Sequence, residues 1–232
     1  MEMAIRLQLK SDATFGRGDG VAGLIDAEIE HDEYGLPYLR GRTLKGLLVE
    51  ECANVLYALR ASQPTNIVGM YELAAGEMFG RAGSTSEDDG LLHVGAAMLP
   101  ETFRRAIRRD VDKKALRPED VLEALTAIRR QTAVDEETGA PRKTSLRSMR
   151  VLVREVVLTS RLKFTETVTP EMKALLAACV LALHRAGTGR NRGRGRIEAT
   201  LCDADDINNN IGSIAFEAFK DSLAHIAQED AA

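Results

Sequence analysis

An α+β fold of the split βαβ, ferredoxin-like kind is what the hydrophobic patterning of this 232-residue chain predicts. Three observations carry it. Short alternating segments at the two ends, Ala4 to Leu9 and Arg196 to Leu201, read as half-buried strands. Two long apolar stripes, Leu44 to Leu59 and Met172 to Leu183, read as core helices, each flanked by extended segments. The resulting order is β-loop-α-β, a helical insertion, then β-α-β, with no repeat or linker dividing it.

Each element has its own justification. Ile5, Leu7 and Leu9 share one face of the first strand. A glycine-rich loop follows, with Gly16, Gly18, Gly20 and Gly23, then extended candidates at Leu24, Ile25 and Ile29. Glu33 to Pro37 reads as a turn. Leu44, Leu47, Leu48, Cys52, Val55, Leu56 and Leu59 make one helical stripe, with Thr43 as its expected cap and Gln63-Pro64 as its end. Tyr71 to Phe79 reads as a short helix closed by Gly80, 81–90 as a polar loop, and Leu91 to Leu99 as a buried strand. Pro100 to Arg109 and Pro118 to Arg130 read as helices, the second with proline in its first turn. Thr138 to Pro141 is a turn between polar arms, and Met149 to Phe164 is one or two strands. Pro170 to Arg185 is a helix. The last, Ile211 to Ala227, is expected to turn Ile211, Ile214, Phe219, Leu223 and Ile226 inward. The insertion with its hairpin is expected over about 100–165, and the terminal helix within 203–232.

Composition narrows the function. Hydrophobic residues are 44% and charged residues 28%, an ordinary balance for a packed domain, and no apolar run approaches a membrane span. Three cysteines without a CxxC point to core thiols in a reducing cytoplasm. His31, His93, His184 and His225 have no ligand spacing with cysteine, which argues against zinc. Aromatics are 4%, too few for a surface that holds bases by stacking. The net charge of −4 hides a split. Thr138 to Glu198 holds 13 Lys+Arg against 4 Asp+Glu, while the rest holds 18 against 31. That asymmetry fits a polyanion bound along one face, and equally a solvated basic surface.

Two motifs concentrate the basic charge. Gly187 to Arg196 interleaves Gly187, Gly189, Gly193 and Gly195 with Arg190, Arg192, Arg194 and Arg196. Glycines let backbone N–H groups approach a ligand, and guanidinium forks match phosphate. The spacing is neither a P-loop nor a dinucleotide fingerprint. Gly35 to Gly46 places Arg40, Arg42 and Lys45 at the start of the first long helix. Cations there oppose the helix dipole, a cost that makes sense if an anion fills the site; an exposed basic turn fits the same residues. Arg142, Lys143, Arg147, Arg150 and Arg154 lie in or beside the hairpin. Arg104, Arg105, Arg108 and Arg109 form a basic helix face that reads first as solvated.

Together these segments resemble the RAMP superfamily, the backbone subunits of type III CRISPR effector complexes. The matches run in order over about residues 4–202: the loop Gly16 to Gly20, Gly23 to Glu28 for a G-I-D-S-P-V-like stretch, and Gly35 to Gly46 for G-x-P-Y-I-P-G-S-S-L-K-G. Phe79-Gly80 before a strand, the hairpin Ala133 to Pro141, and Gly187 to Gly195 for G-x-x-x-x-R-G-x-G complete the set. Arg40 stands where proline is usual, Arg42 and Thr43 replace two serines, and Thr14 to Gly16 lies where some members carry histidine.

The resemblance implies a single domain with a ferredoxin-like, RRM-like palm, an inserted helical region and a protruding thumb hairpin. It implies a cytoplasmic subunit that binds guide (crRNA) and target RNA, assembles with like subunits and other effector subunits, and has no membrane contact. Expected RNA contacts are Arg17, Arg40, Arg42, Lys45, Gly187, Gly189, Arg190, Arg192, Gly193, Arg194, Gly195, Arg147 and Arg150. The catalytic aspartate of the cutting members falls on Asp26, which with Mg²⁺ or another divalent cation would act in target cleavage. Asp19, Glu28, Glu30 and Asp32 are competing carboxylates. Two alternatives stay open: a non-catalytic structural crRNA-binding subunit, and a guide-precursor processing nuclease, for which no His or Tyr/Ser set stands out.

Overall fold

A computed structural model describes residues 2–18, 20, 25–80, 90–142 and 144–229, with side chains to 224. Asp19, Gly23, Leu24, the polar loop 81–89, Lys143 and the side chains of His225 and Ile226 lie outside the described residues.

The architecture is α+β, helices against antiparallel sheet. Strand β1 (Met3–Leu9) lies between β8 (Ile197–Asp203) and β7 (Val157–Phe164), antiparallel to both. Register runs from Met3↔Leu162 to Gln8↔Val157 on one side and from Met3↔Asp203 to Leu9↔Ile197 on the other. The far edge of β7 takes two short strands, β3 (Leu92–Val94) and β4 (Ala97–Met98), and β4 pairs β2 (Tyr38–Leu39). Alternation decides the buried face: Ile5, Leu7 and Leu9 are buried while Arg6 and Gln8 are half-exposed.

The helices close that face. In α1 (Gly41–Ser62), Leu44, Leu48, Cys52, Leu56 and Leu59 turn inward. Helix α5 (Pro170–Ala182) packs against α1, α2 (Thr65–Phe79), α6 (Gly212–Glu229) and β8. This central position explains why Met172 and every residue from Ala174 to Val180 are buried. Thr169 caps α5, its hydroxyl accepting from Met172 N at 3.2 Å. Cys52, Cys179 and Cys202 are buried free thiols.

Between β4 and β7 the chain leaves the main sheet. Helices α3 (Glu101–Asp112) and α4 (Pro118–Leu125) lead into a hairpin of β5 (Thr126–Gln131) and β6 (Arg147–Leu152). Its register runs from Thr126↔Leu152 to Gln131↔Arg147. At the tip Val134 bridges Pro141, with Gly139 at φ +65°. Segment 26–28 lies along the other edge of β6: Ala27 bridges Met149 in parallel, and Arg150 N donates to Ala27 O at 3.0 Å.

Several expectations are corrected. The helix from Pro118 stops at Leu125, and Thr126 to Gln131 is strand: β-branched Thr126 and Ile128 and pairing with β6 outweigh the continuing helical pattern. The helix foreseen from Tyr71 begins at Thr65, since Ile67 and Val68 extend its buried face. Leu91 to Leu99 is two short strands, broken where Gly95 N donates to Arg161 O at 2.9 Å. Met149 to Phe164 divides between two sheets, Arg147–Leu152 in the hairpin and Val157–Phe164 in the main sheet. Thr43 does not cap α1; the helix starts at Gly41 with Arg40 at its N-cap and no side-chain cap bond. Ile214 is 75% exposed, because α6 turns Ile211, Ala215 and Phe219 inward.

Candidate nucleic-acid interface

The glycine-rich loop 187–195 is clamped to the segment after β1. Thr188 N donates to Thr14 O at 2.9 Å, and Gly195 N to Asp12 O at 2.8 Å. Ala186 N and Gly195 O close the loop's base at 2.8 Å. Two glycines are sterically required. A Cβ on Gly187 (φ +91°) would sit 2.6 Å from Thr14 O, and one on Gly195 (φ +67°) 2.0 Å from Ala186 O. The arginine-bearing span 189–192 is itself a turn, Arg192 N donating to Gly189 O at 2.8 Å.

Three adjoining cavities surround this loop. The first, about 290 Å³, opens between the loop and the start of α1; its walls include Thr14, Glu30, Arg40, Thr43, Gly187 and Arg190. The second, about 540 Å³, runs over the loop to the hairpin strands, past Gly189, Arg190, Arg192, Arg194, Gln131 and Met149. The third, about 580 Å³, lies beyond it, walled by Lys10, Asp12, Arg129, Arg130, Arg154 and Arg194 among others. Shared walls make them one groove from α1 to the hairpin.

The foreseen residues divide by what their charges do. Arg40 Nη2 is 2.6 Å from buried Glu30 Oε1, and Tyr38 Oη donates to Glu30 Oε2 at 3.1 Å. Burial, then that bond to Glu30, raise the Tyr38 phenol above its ordinary value. Arg190 forks onto Glu50, both bonds at 3.0 Å. Arg194 contacts the Met149 sulfur. Among the described residues, Arg42, Lys45, Arg147 and Arg192 carry no side-chain ion pair or hydrogen bond, and Arg42, Arg147 and Arg192 are exposed. Arg17 is exposed on the first glycine loop. Arg150 points the other way: only 14% exposed, its Nε donates to both Glu28 oxygens at 2.9 and 3.1 Å and its Nη1 to Thr126 Oγ1 at 3.1 Å. Three arginines of the α3 face have local partners: Arg104 pairs Glu101, Arg108 lies over Tyr34 and near Asp32, and Arg109 pairs Asp110.

The competing carboxylates separate cleanly. Glu28 and Glu30 are buried and committed to arginine. Asp32 Oδ1 holds the turn, accepting from Tyr34 N and Leu36 N at 3.0 Å each. Asp26 is exposed; its Oδ2 accepts from Ser148 N at 2.6 Å and Ser148 Oγ at 3.3 Å, while Oδ1 takes no bond among the described residues. Asp26 N also donates to Ser148 O at 2.9 Å, which pins the residue to β6 near the tip-ward end of the hairpin ladder. No group of three His, Cys, Asp or Glu is placed to hold a metal among the described residues. A magnesium ion needs only one or two protein carboxylates when phosphate and water fill the rest, so the open Asp26 Oδ1 fits such an ion as a single ligand.

Lys10, Arg129 and Arg130 are groove residues that the sequence reading missed. The sequence pattern places Arg129 and Arg130 at a helix end, and Lys10 follows a strand with no motif around it.

This is an α+β protein with a cationic groove organised by glycine-rich bends. The family model for the RAMP superfamily matches residues 6–198, and the chain belongs to that superfamily. Among solved structures it is similar to a chain of the Type III-B Cmr-beta complex bound to cognate target RNA, with a TM-score of 0.59 and 12% identity over 87% of this chain and 97% of that one. A chain of the apo state of Type III-B Cmr-beta gives a TM-score of 0.61 at 12% identity over 88% and 98%. No curated protein sequence matches. No helix among the described residues is long and apolar enough to cross a membrane.

Proposed function

We propose that this chain is a crRNA-binding backbone subunit of a type III CRISPR effector complex, and that it cuts guide-complementary target RNA with Asp26 as the acting acid. The observation that carries the binding reading is the continuous cationic groove around 187–195, in a RAMP superfamily member whose fold matches subunits of a complex solved with target RNA. The main sheet, ordered β8-β1-β7 with β3 and β4 beyond, is the ferredoxin-like palm, and the β5–β6 hairpin is the thumb. Arg17, Arg42, Lys45, Arg147 and Arg192 reach for phosphates. Guide is held through phosphate and sugar, and base pairing reads the sequence. The chain works in the cytoplasm beside like backbone subunits and other effector subunits.

For cleavage, the groove aligns a target nucleotide so that its 2′-oxygen faces the scissile phosphate. Asp26 Oδ1, the open oxygen among Asp26, Glu28 and Glu30, takes the 2′-hydroxyl proton, while Ser148 fixes Oδ2; the 2′-oxygen bonds to phosphorus as the P–O5′ bond breaks, leaving a 2′,3′-cyclic phosphate and a 5′-oxygen that takes its proton from water. A positioned base of this kind contributes roughly 10²–10⁴-fold. If a divalent ion were bound, Asp26 would hold it through Oδ1 and it would supply charge for the phosphorane oxygens, in place of proton transfer to that oxygen. The test is cleavage of complementary RNA by assembled complex, wild type against Asp26→Asn, in which the amide oxygen still accepts from Ser148 N. Cutting should fall by about 10²-fold or more with guide retention unchanged. Undiminished cutting would leave a purely structural crRNA-binding subunit, a second reading favoured by the tie between Asp26 and Ser148.

A further inference from the structure

The groove's positive charge is unevenly spent. At the α1 end both guanidinium groups that line the cavity already face carboxylates, Arg40 on Glu30 and Arg190 on Glu50. The hairpin-side cavity is different. Lys10, Arg129, Arg130, Arg154 and Arg194 line it against a single acid, Asp12. Asp12 is taken by Arg129 at 2.7 Å, and Lys10 reaches out to Glu198 at 2.6 Å. Arg130 and Arg154 have no side-chain ion pair or hydrogen bond among the described residues, and the Met149 sulfur on Arg194 neutralises nothing.

Three uncompensated guanidinium groups thus converge on one concavity of about 580 Å³. Like charges brought together repel, and a concave wall concentrates their field, so an anion seated there would relieve that repulsion. The pieces come from four parts of the chain: the segment after β1, strand β5, Arg154 and the end of the glycine-rich loop. No Phe, Tyr, Trp or His lines the cavity, so it offers a nucleic acid phosphate contacts and no stacking platform.

We propose that this hairpin-side cavity is the principal phosphate seat of the RNA strand, ahead of the cavity at the start of α1. The inference rests on the RNA-binding reading above and assigns Lys10, Arg129, Arg130 and Arg154 to it. An oligouridylate backbone is the expected occupant; an acidic segment of a neighbouring subunit is the rival.

The test is the affinity of the full chain for single-stranded oligouridylate as a function of salt. Each phosphate contact contributes about 0.7 to the slope of log affinity against log salt. Arg130→Gln with Arg154→Gln should flatten the slope by about 1.4, and Arg130→Lys with Arg154→Lys should restore it. Arg40→Gln with Arg190→Gln should flatten it by less than half as much. An unchanged slope in the first variant, or a larger loss in the α1-side variant, overturns the assignment. So does a first variant that binds RNA as wild type does but no longer co-purifies with neighbouring subunits, since the cavity would then seat protein. Wild type that binds no RNA at all would instead remove the RNA-binding reading itself.

Discussion

Replacing Arg150 with Met is the sharpest single test of how the hairpin is held. In sequence Arg150 is one of several arginines beside the hairpin; in the fold it is the buried partner of Glu28. Its Nε meets both Glu28 oxygens at 2.9 and 3.1 Å, the Glu28 side chain is 5% exposed, and a further bond runs to Thr126 Oγ1. Removing the guanidinium would leave Glu28 with one backbone donor, Ile29 N at 2.9 Å. Breaking a buried pair from one side costs about 3–5 kcal/mol, because the remaining charge stays out of water. At roughly 2–4 °C per kcal/mol for a domain of this size, the melting temperature should fall by about 6–20 °C. The assay is thermal and urea unfolding of Arg150→Met, Glu28→Leu and the double variant. The double variant should recover most of the loss, since an apolar pair of similar volume replaces a buried ion pair at little cost. A loss below about 1 kcal/mol in Arg150→Met, the range of exposed pairs, together with weakened RNA binding, would refute the reasoning and return Arg150 to the RNA-contacting surface.

Other expected outcomes follow from the same geometry. Gly195→Ala drives a Cβ to 2.0 Å from Ala186 O in a left-handed backbone, whereas Gly139→Ala, also left-handed at φ +65°, meets nothing within 4 Å. Gly195→Ala should therefore cost more than the roughly 1–2 kcal/mol of conformational strain alone expected of Gly139→Ala, measured by urea unfolding. Leu175→Ala, at the fully buried centre of α5, should cost about 2–5 kcal/mol, and Ile214→Ala on the exposed side of α6 less than about 0.5 kcal/mol; equal losses would mean that α6 is rotated. The Thr138 N–H, then its hydroxyl, with Glu137 N–H adding, hold the Asp135 carboxyl below its ordinary value. A depressed carboxylate stabilises the fold above its unfolded pKa, and the gain is lost as pH falls through the folded one. The Glu137 and Thr138 amide resonances should therefore shift only as pH falls below the ordinary carboxylate range, and Asp135→Asn should abolish that titration.

The main sheet and core helices were legible because their signals are local and periodic. Ile5, Leu7 and Leu9 alternate; the α1 stripe repeats at helical spacing; the α5 residues are apolar enough to be central whichever way they turn. The insertion was harder for a definite reason. In Thr126 to Gln131 only Thr126 and Ile128 favour strand, Ala127 and the arginines continue the helical pattern from Pro118, and what decides for strand is β6, some 20 residues on. Ile214 shows the opposite failure. Its spacing fits the helical stripe, but the face α6 presents to α5 is fixed by Ile211, Ala215 and Phe219.

The site shows why counting charges in a sequence locates a groove but does not tell which of its charges are already paired. The glycine-rich loop and the start of α1 stand out as motifs, and the fold does bring them to one groove. Yet Glu50, one turn past the middle of the first half of α1, faces Arg190, and Glu30, ten residues before Arg40, faces that arginine. Neither acid lies within the motif whose charge it cancels. Arg130 belongs to no motif and Arg154 only to the basic set beside the hairpin, but the hairpin fold leaves both without a countercharge beside Arg194 among the described residues. A polyanion responds to the charge that remains after such pairing, weighted by the concavity that holds it. By that measure the loop's last arginine, facing the hairpin, matters more than Arg190, which is already held by Glu50.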